Sequence, residues 1–266
     1  MFNMKAVQPT QLNLESGFKF KCHPGVSCFT RCCSNIDIML TPYDVLRLKR
    51  RLGISSEEFI EKYTIIRADK NSSHPYAYLK MTDAEGKLCP FLKVPDGCTI
   101  YADRPVSCRY YPIGQGTLKK RDDAGKIIHE EFYFFVKEPH CKGYDEPDEW
   151  TIATWKDDQE ITLYDSMNRD WKEILMRRNL PNQPALDEKK RLQFFMASYD
   201  LDKFRRFVLD SRFFDIFDVP EEQQKAVAES EEAMMKLGFK YLKFILGLEQ
   251  TLAVKEQHLK KGKKQE

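Results

Sequence analysis

The sequence predicts an α+β protein, in which a cysteine-rich N-terminal domain of short helices and β-hairpins is followed by a helical C-terminal part. Three observations support this fold class. All eight cysteines fall within the first 141 of the 266 residues. The same half alternates helix-capping sequences with turn sequences, a pattern typical of short helices and hairpins. The other half carries apolar residues at steps of three and four, which indicates helices.

Two short helices are predicted near the start of the cysteine-rich domain. Thr41 is a favourable N-cap, Pro42 fits the first helical turn, and Gly53 ends the helix. The sequence Ser55-Ser56-Glu57-Glu58 is typical of a capping box and begins a second helix, which we expect to run through Tyr63. Apolar residues between these caps give each helix one face that can be buried.

Hairpins are predicted after these helices, because runs of β-forming residues alternate with turn-forming residues. In chain order the predicted strands and turns are Tyr76–Met81, the turn 83–86, Lys87–Lys93, the turn 94–97, the turn 122–125 and a return arm at 127–128 and 132–136. Such hairpins place residues from separate parts of the chain side by side.

Three stretches of the C-terminal part are predicted to be helical: 155–175, 192–207 and 234–252. Their aromatic and methionine residues recur at helical spacing, and such stripes usually form a core rather than a cofactor site. We therefore expect a cysteine-rich domain at 15–148, a helical region at 149–255 and a disordered basic tail at 256–266. If the chain has a protein partner, we expect it to bind the helical region.

Composition and charge argue against several classes of partner. There are 43 Lys and Arg against 41 Asp and Glu, a net charge of +2, so no basic surface for nucleic acid is indicated. No apolar stretch approaches the roughly 20 residues that span a bilayer, and the first residues lack a secretory signal. We therefore expect neither nucleic-acid nor membrane binding, and a cytoplasmic location in which thiols stay reduced.

The cysteines are the strongest functional signal in the sequence. Four form the pattern Cys-x5-Cys-x3-Cys-Cys, and four more follow singly. Thiolates are soft ligands that suit zinc and iron–sulfur clusters. The alternatives are burial as small apolar residues and disulfides, which a reducing compartment disfavours. We expect all eight to be metal ligands: Cys22, Cys28, Cys32, Cys33, Cys89, Cys98, Cys108 and Cys141.

The adjacent pair Cys32-Cys33 indicates more than a simple finger, because consecutive side chains usually point in different directions. One thiol could ligate while the other faces a second metal or packs as a small buried group. Eight thiolates suffice for two Cys₄ sites, which would hold two zinc ions or two [4Fe–4S] clusters. Lys21 and Arg31 lie near enough in sequence to offset part of the negative charge.

Other residues are weaker candidates. Three histidines could serve as ligands, although a single histidine is more often a surface or core residue: His23, His129 and His140. Four residues near the later cysteines could orient the ligands, and packing is an equally good explanation for them: Arg104, Arg109, Tyr110 and Tyr111.

No recognisable catalytic motif occurs in the sequence. There is no Cys-x-x-Cys, so neither a zinc ribbon nor a thioredoxin-type pair is indicated. The closely repeated spacing of ferredoxins and the three-then-two spacing of radical S-adenosylmethionine enzymes are absent. Neither a Gly-rich phosphate loop nor a His-Glu-x-x-His helix is present. These absences leave a cysteine-ligated metal as the chemistry that the residues support.

The cysteine pattern resembles the YkgJ-type cysteine-cluster family, bacterial proteins with a zinc- or iron-chelating CxxCxxCC domain. The resemblance covers about 18–112, with Cys141 as a further member, and it includes three later blocks in the expected order. The first spacings here are five and three rather than two and two. The three blocks are Cys89-Pro90-Phe91-Leu92, Gly97-Cys98-Thr99-Ile100-Tyr101 and Arg104-Pro105-x2-Cys108-Arg109-x-Tyr111-Pro112.

The resemblance implies metal chelation by the cysteines and suggests three functions. The first is a zinc or iron–sulfur protein in electron transfer, metal handling or sensing, since some relatives carry an iron–sulfur oxidoreductase label. The second is a protein lysine N-methyltransferase, since flagellin-modifying enzymes share a similar cluster, although no methyl-donor loop is visible. The third is a zinc-stabilised interaction module.

Overall fold

The computed structural model of the chain describes residues 11–70, 72–121, 127–178 and 184–258, with the backbone alone at 119–121 and 127–129. It combines helices with two-stranded sheets, which confirms the predicted α+β class and the N-terminal position of the cysteine-rich domain. The predicted turn 122–125 and the basic tail beyond 258 lie outside the described residues.

The helices occur mainly in the second half of the chain. In chain order they are α1 (Pro42–Leu52), α2 (Ser56–Tyr63), α3 (Val106–Tyr110), α4 (Ile152–Asp158), α5 (Ile161–Arg178), α6 (Glu188–Tyr199), α7 (Leu201–Leu209), α8 (Phe213–Ile216), α9 (Glu221–Glu229) and α10 (Glu231–Ile245). Among the described residues, no helix is both long and apolar enough to cross a bilayer.

The strands are short and form two-stranded sheets. They are β1 (Gly17–Lys19), β2 (Thr64–Ala68), β3 (Pro75–Leu79), β4 (Leu92–Lys93), β5 (Gly97–Cys98), β6 (Ile113–Arg121), β7 (Ile127–Phe135), β8 (Glu149–Thr151), β9 (Phe217–Asp218) and β10 (Ala253–Val254). The pairs are β1 with β8, β2 with β3, β4 with β5, β6 with β7, and β9 with β10.

Helix α1 forms as its caps predict. The Thr41 hydroxyl accepts a hydrogen bond from the Asp44 N–H at 3.2 Å, and the Asp44 carboxylate accepts one from the Thr41 N–H at 2.8 Å. This reciprocal capping box satisfies two N–H groups that the first helical turn leaves unpaired. Gly53 then ends the helix in the left-handed conformation, with φ of 66°.

The hairpin predicted between 76–81 and 87–93 is wrong. Strand β3 pairs with β2 instead, because a turn centred on Asp69 brings these strands together: its carboxylate accepts from the Ser72 N–H at 2.7 Å, and its own N–H donates to the His74 carbonyl at 2.9 Å. Only the last two residues of 87–93 form a strand.

All three predicted helical stretches are broken inside or shorter than expected at one end. The stretch 155–175 is interrupted at 159–160, between α4 and α5. The stretch 192–207 is interrupted at Asp200, whose carboxylate accepts from the Lys203 N–H at the start of α7 and from the Ser56 hydroxyl. The third stretch ends at Ile245, and Gly247 follows in the left-handed conformation with φ of 66°. Local capping therefore overrides the apolar periodicity.

The chain divides into two compact units that alternate along the sequence. Unit 1 comprises the described parts of Met1–Ile38 and Leu79–Tyr164, and unit 2 comprises those of Met39–Tyr78 and Asp165–Glu266. The expected domains at 15–148 and 149–255 were continuous stretches, whereas α1, α2 and β2 group with the C-terminal helices. As functional domains, those boundaries remain a prediction.

The core of unit 1 is built around Trp155. Its ring packs edge-on against Phe18, Phe20 and Trp150, with ring centroids 5.2–5.9 Å apart. The Trp155 indole N–H donates to the Arg109 carbonyl at 3.2 Å. Edge-to-face aromatic packing of this kind stabilises a core beyond the area it buries.

The core of unit 2 is formed by its helices. Trp171 is 1% exposed and its indole N–H donates to the Ser198 hydroxyl at 3.1 Å. A polar contact lies beside this core, where the nearly buried Lys49 ammonium donates to the Asp202 carboxylate at 2.9 Å. Asp202 also accepts from the Ser56 N–H at 2.6 Å, so the buried charge is paired.

His74 is an unusual member of the unit 2 core. It is fully buried, neither ring nitrogen has a hydrogen-bond partner, and its ring lies 4.7 Å from that of Phe194. Burial, together with the positive charge of Arg178, lowers the pKa of His74 from 6.5 to about 4. The neutral imidazole is therefore the form that the folded state accepts.

We predict that His74 makes the protein acid-sensitive between pH 6.5 and about pH 4. In this range the unfolded chain takes up a proton that the folded chain does not, so the free energy of unfolding falls by up to about 1.4 kcal/mol per pH unit. His74→Leu should lose less stability than wild type between about pH 7 and about pH 5 in urea unfolding. His258→Gln serves as the control, and equal losses in wild type and His74→Leu would refute the assignment.

Candidate metal centre

All eight cysteines lie in unit 1, and all are free thiols. Irregular or very short elements carry most of them. Cys22 and Cys28 lie on the loop after β1, Cys32 and Cys33 on a one-turn 3₁₀ helix, Cys89 before β4, Cys98 in β5, Cys108 in α3, and Cys141 before the 3₁₀ turn Gly143–Asp145.

Four of the thiols surround one cavity, and we call them the first thiol set: Cys22, Cys28, Cys32 and Cys141. The cavity has a volume of about 20 Å³, which is room for one water molecule or one metal ion. The Cys22 thiol interacts electrostatically with the other three, and this mutual repulsion contributes to its raised pKa. The fold brings Cys141 next to the other three cysteines, although it lies far from them in sequence.

Backbone hydrogen bonds hold the two segments of the first thiol set together. The Lys21 N–H donates to the Gly143 carbonyl at 3.0 Å, and the Lys21 ammonium pairs with Asp148 at 2.9 Å. The Lys142 N–H donates to the Cys28 sulfur at 3.1 Å. This last contact orients the Cys28 sulfur, as outer hydrogen bonds orient metal ligands.

The remaining four cysteines form the second thiol set: Cys33, Cys89, Cys98 and Cys108. The Cys33 thiol interacts with those of Cys89 and Cys108, and the Cys89 thiol with that of Cys98. Cys32 of the first set also interacts with Cys33 and Cys89, so it lies at the boundary of the two sets. The Cys89 N–H donates to the Cys33 carbonyl at 2.8 Å, so residues 87–89 pair with the double-cysteine segment rather than with 76–81.

The turn 94–97, predicted from sequence, joins β4 to β5 and brings Cys98 back towards Cys89. Gly97 has φ of 99°, and a Cβ there would lie 2.9 Å from the Phe29 ring. Glycine is therefore required both for the backbone conformation and for the close approach of Phe29.

Cys32 and Cys33 form a hydrogen-bonded pair at the boundary between the two sets. The Cys33 thiol donates to Cys32, which lowers the pKa of Cys32 to about 7 and raises that of Cys33. Thr30, just before this 3₁₀ turn, has φ of 68°. A β-branched residue in this conformation is strained, and such strain is concentrated at functional sites.

Burial raises the pKa of several other thiols. The Cys22 side chain reaches solvent, yet protein atoms on its cavity side raise its pKa to about 11. Burial also raises the pKa values of Cys89, Cys98 and Cys141. Because a metal binds the thiolate form, binding must release protons and should strengthen as pH rises.

Arg104 is the cation that faces both thiol sets. Burial raises the pKa values of Cys22 and Cys98, and the positive charge of Arg104 offsets part of this rise. The same charge adds to the hydrogen bond from Cys33 in lowering the pKa of Cys32. Its guanidinium carbon lies 4.1 Å from the centroid of the Tyr101 ring. The sequence had indicated Lys21 and Arg31 for charge compensation, but Lys21 pairs with Asp148 and the Arg31 residue is exposed.

Arg109 holds the turn that carries Arg104. It is 4% exposed, and its guanidinium donates to the Arg104 carbonyl at 3.0 Å, the Gln159 carbonyl at 2.8 Å and the Tyr164 hydroxyl at 3.1 Å. The charge is stacked on the Tyr164 ring at 4.3 Å. Arg109 therefore positions backbone rather than a thiol.

The two tyrosines after Arg109 have different surroundings. The Tyr111 hydroxyl lies beside the Cys141 thiol and offsets part of the rise in the Cys141 pKa that burial causes, although no hydrogen bond of regular geometry joins them. The Tyr110 hydroxyl donates to the Gln115 side chain at 2.9 Å. Of this pair, Tyr111 is the one that can orient a ligand.

Of the three candidate histidines, His140 is placed beside the first thiol set. It lines the same cavity, and its Nε2 is buried without a hydrogen-bond partner. His23 is engaged elsewhere: its Nε2 lies 3.0 Å from a Glu146 carboxylate oxygen, and its Nδ1 accepts from the Gly25 N–H at 3.1 Å. The side chain of His129 lies outside the described residues.

The donor chemistry of the two sets fits a soft metal. Buried polar atoms without a regular hydrogen bond surround the thiols, as expected where a further group completes the contacts: Arg104 Nε, Ser107 Oγ, Tyr111 Oη and His140 Nε2. Within the described residues, however, no group of three or more His, Cys, Asp or Glu already has metal-holding geometry. Ligation therefore requires the thiols to move closer together.

Comparison with protein families agrees with this chemistry. Residues 21–146, a span that contains all eight cysteines, match the family model described as "CxxCxxCC: Putative zinc- or iron-chelating domain". We call residues 21–146 the CxxCxxCC domain, after the family model that they match. No curated protein and no solved structure matches the chain. The match supports a metal-binding role for the CxxCxxCC domain without specifying the metal.

Sequence reasoning missed two residues of this domain that position the first set, Lys142 and Gly143. Lys142 contributes only its N–H, which any residue but proline supplies, so its identity carries no signal. Gly143 carries a weak signal, because a glycine two residues after a cysteine indicates a close approach.

We predict that Gly143→Ala weakens metal binding at the first thiol set. A Cβ at this position would lie 2.6 Å from the Phe20 ring and 2.8 Å from the Lys21 carbonyl oxygen, so the segment that carries Cys22 must move away. We expect about a tenfold loss of zinc affinity in competition with a chelator. Gly17→Ala is the control, since its Cβ would meet only the Trp150 carbonyl at 3.8 Å. Unchanged affinity in Gly143→Ala would show that this contact does not position the ligands.

We predict that Arg104→Gln moves the onset of metal binding to higher pH. Without the guanidinium, the pKa values of three thiols rise, so a higher pH is needed to ionise them. The pH at which half of the zinc is retained should rise by up to about one pH unit. Arg31→Gln provides a control with the same charge change beside Cys32, and an equal shift in both variants would exclude a special role for Arg104.

Proposed function

We propose that the chain is a thiolate-ligated metal-binding protein, with zinc favoured over an iron–sulfur cluster. The observation that carries the proposal is the gathering of eight free thiols in the CxxCxxCC domain, where four of them line one cavity. Thiolates this close repel one another, and a bound cation removes the repulsion.

The size of the cavity supports a single ion. About 20 Å³ is room for one ion. Zinc is the ion most suited to four cysteines, and such closed sites stabilise structure or hold the metal rather than activate water. Metal handling or sensing therefore fits better than electron transfer.

The state of the thiols supports a reducing location. Disulfides form readily in oxidising compartments, and the eight cysteines here are free. We therefore propose a cytoplasmic protein. Binding of a protein partner through the helical region 149–255 stays a prediction.

The deciding experiment is elemental analysis and absorption spectroscopy of the full chain purified without oxygen. We expect about two zinc ions per chain and no visible band. The control is a chain with Cys32 and Cys33 both replaced by Ser, which should lose the metal. Iron with matching sulfide and a broad band at about 400 nm would show that the chain binds a cluster instead of zinc, and would support a redox role. A chain that binds neither metal would overturn the proposal.

A further inference from the structure

We propose that the eight cysteines form two separate four-thiolate metal sites, divided between Cys32 and Cys33, and that the first site exchanges its metal more readily. The first site would use the first thiol set, and the second site the second thiol set. This inference rests on the proposed function and adds the ligand assignment to it.

The division follows from how the chain brings the thiols together. The first set comes from a loop and from the segment at Cys141, joined by the hydrogen bonds of Lys21 and Lys142. The second set comes from the β4–β5 hairpin, α3 and Cys33, and the bond from the Cys89 N–H to the Cys33 carbonyl joins the hairpin segment to Cys33. The two sets therefore have separate backbone supports.

The two sets meet at the adjacent cysteines Cys32 and Cys33. Consecutive side chains usually point in different directions, and here Cys32 lines the first cavity while the Cys33 carbonyl accepts a hydrogen bond from the Cys89 N–H at 2.8 Å. A tetrahedral zinc takes four protein ligands, so eight thiolates divide into two complete sites with no thiol left over. Each of the two adjacent cysteines completes one of them.

The two sites differ in their access to solvent. Cys22 of the first site is exposed, whereas all four cysteines of the second site are half-buried. The first site also has a cavity beside its ligands. A chelator or an acceptor for the metal can therefore approach the first site more easily.

The first test compares double substitutions within one set and across the two sets. Cys22→Ser should reduce zinc from about two to about one per chain, and Cys22→Ser with Cys141→Ser should also retain about one. Cys22→Ser with Cys98→Ser should retain none. Total loss of metal in Cys22→Ser alone, or further loss in the within-set double variant, would overturn the division.

The second test uses the wild-type chain, so it does not depend on whether a variant folds. Zinc is removed stepwise with a chelator, and the exposed thiols are alkylated and identified by mass spectrometry. The first step should label Cys22, Cys28, Cys32 and Cys141 and leave the other four protected. Labelling of all eight at once, or of the second set first, would contradict the inference. A wild-type chain with no metal would instead refute the proposed function.

Discussion

Four thiolates brought to one point repel one another, and the organisation of unit 1 follows from that constraint. The protein answers it in part with its own charge, because Arg104 faces thiols of both sets. Arg104 is in turn held by Arg109, which binds its carbonyl and is stacked on Tyr164. One guanidinium cannot neutralise eight thiolates, so a bound metal is the natural source of the remaining positive charge.

Backbone groups, rather than side chains, place most of the thiols. The Lys21 and Cys89 N–H groups each join a cysteine-bearing segment to another part of the chain, and the Lys142 N–H donates directly to a cysteine sulfur. Behind them, the aromatic packing around Trp155 fixes the residues that precede Cys22. The site therefore rests on a rigid core although its ligands lie on irregular chain.

The sequence was informative where structure is determined locally. The caps at Thr41 and Gly53 predicted α1, and the cysteine pattern predicted the CxxCxxCC domain. It was uninformative where the pairing of separate segments is decided by tertiary contacts. Strand β3 pairs with β2 because of the turn at Asp69, and residues 87–89 pair with Cys33 through a backbone hydrogen bond. Which cysteines belong to which thiol set likewise depends on tertiary structure. The eight cysteines could therefore be predicted as ligands from the sequence, but they could not be assigned to sites.

The short secondary-structure elements around the thiols suggest that metal binding would stabilise the fold of unit 1. Near the cysteines, regular structure is limited to strands of two residues and single helical turns, which have few internal hydrogen bonds to offset the entropy lost on ordering. Unit 2, by contrast, has long helices packed around Trp171. A metal bound by thiolates from four or more segments of unit 1 would supply the missing cross-links, so its binding free energy becomes folding free energy of that unit.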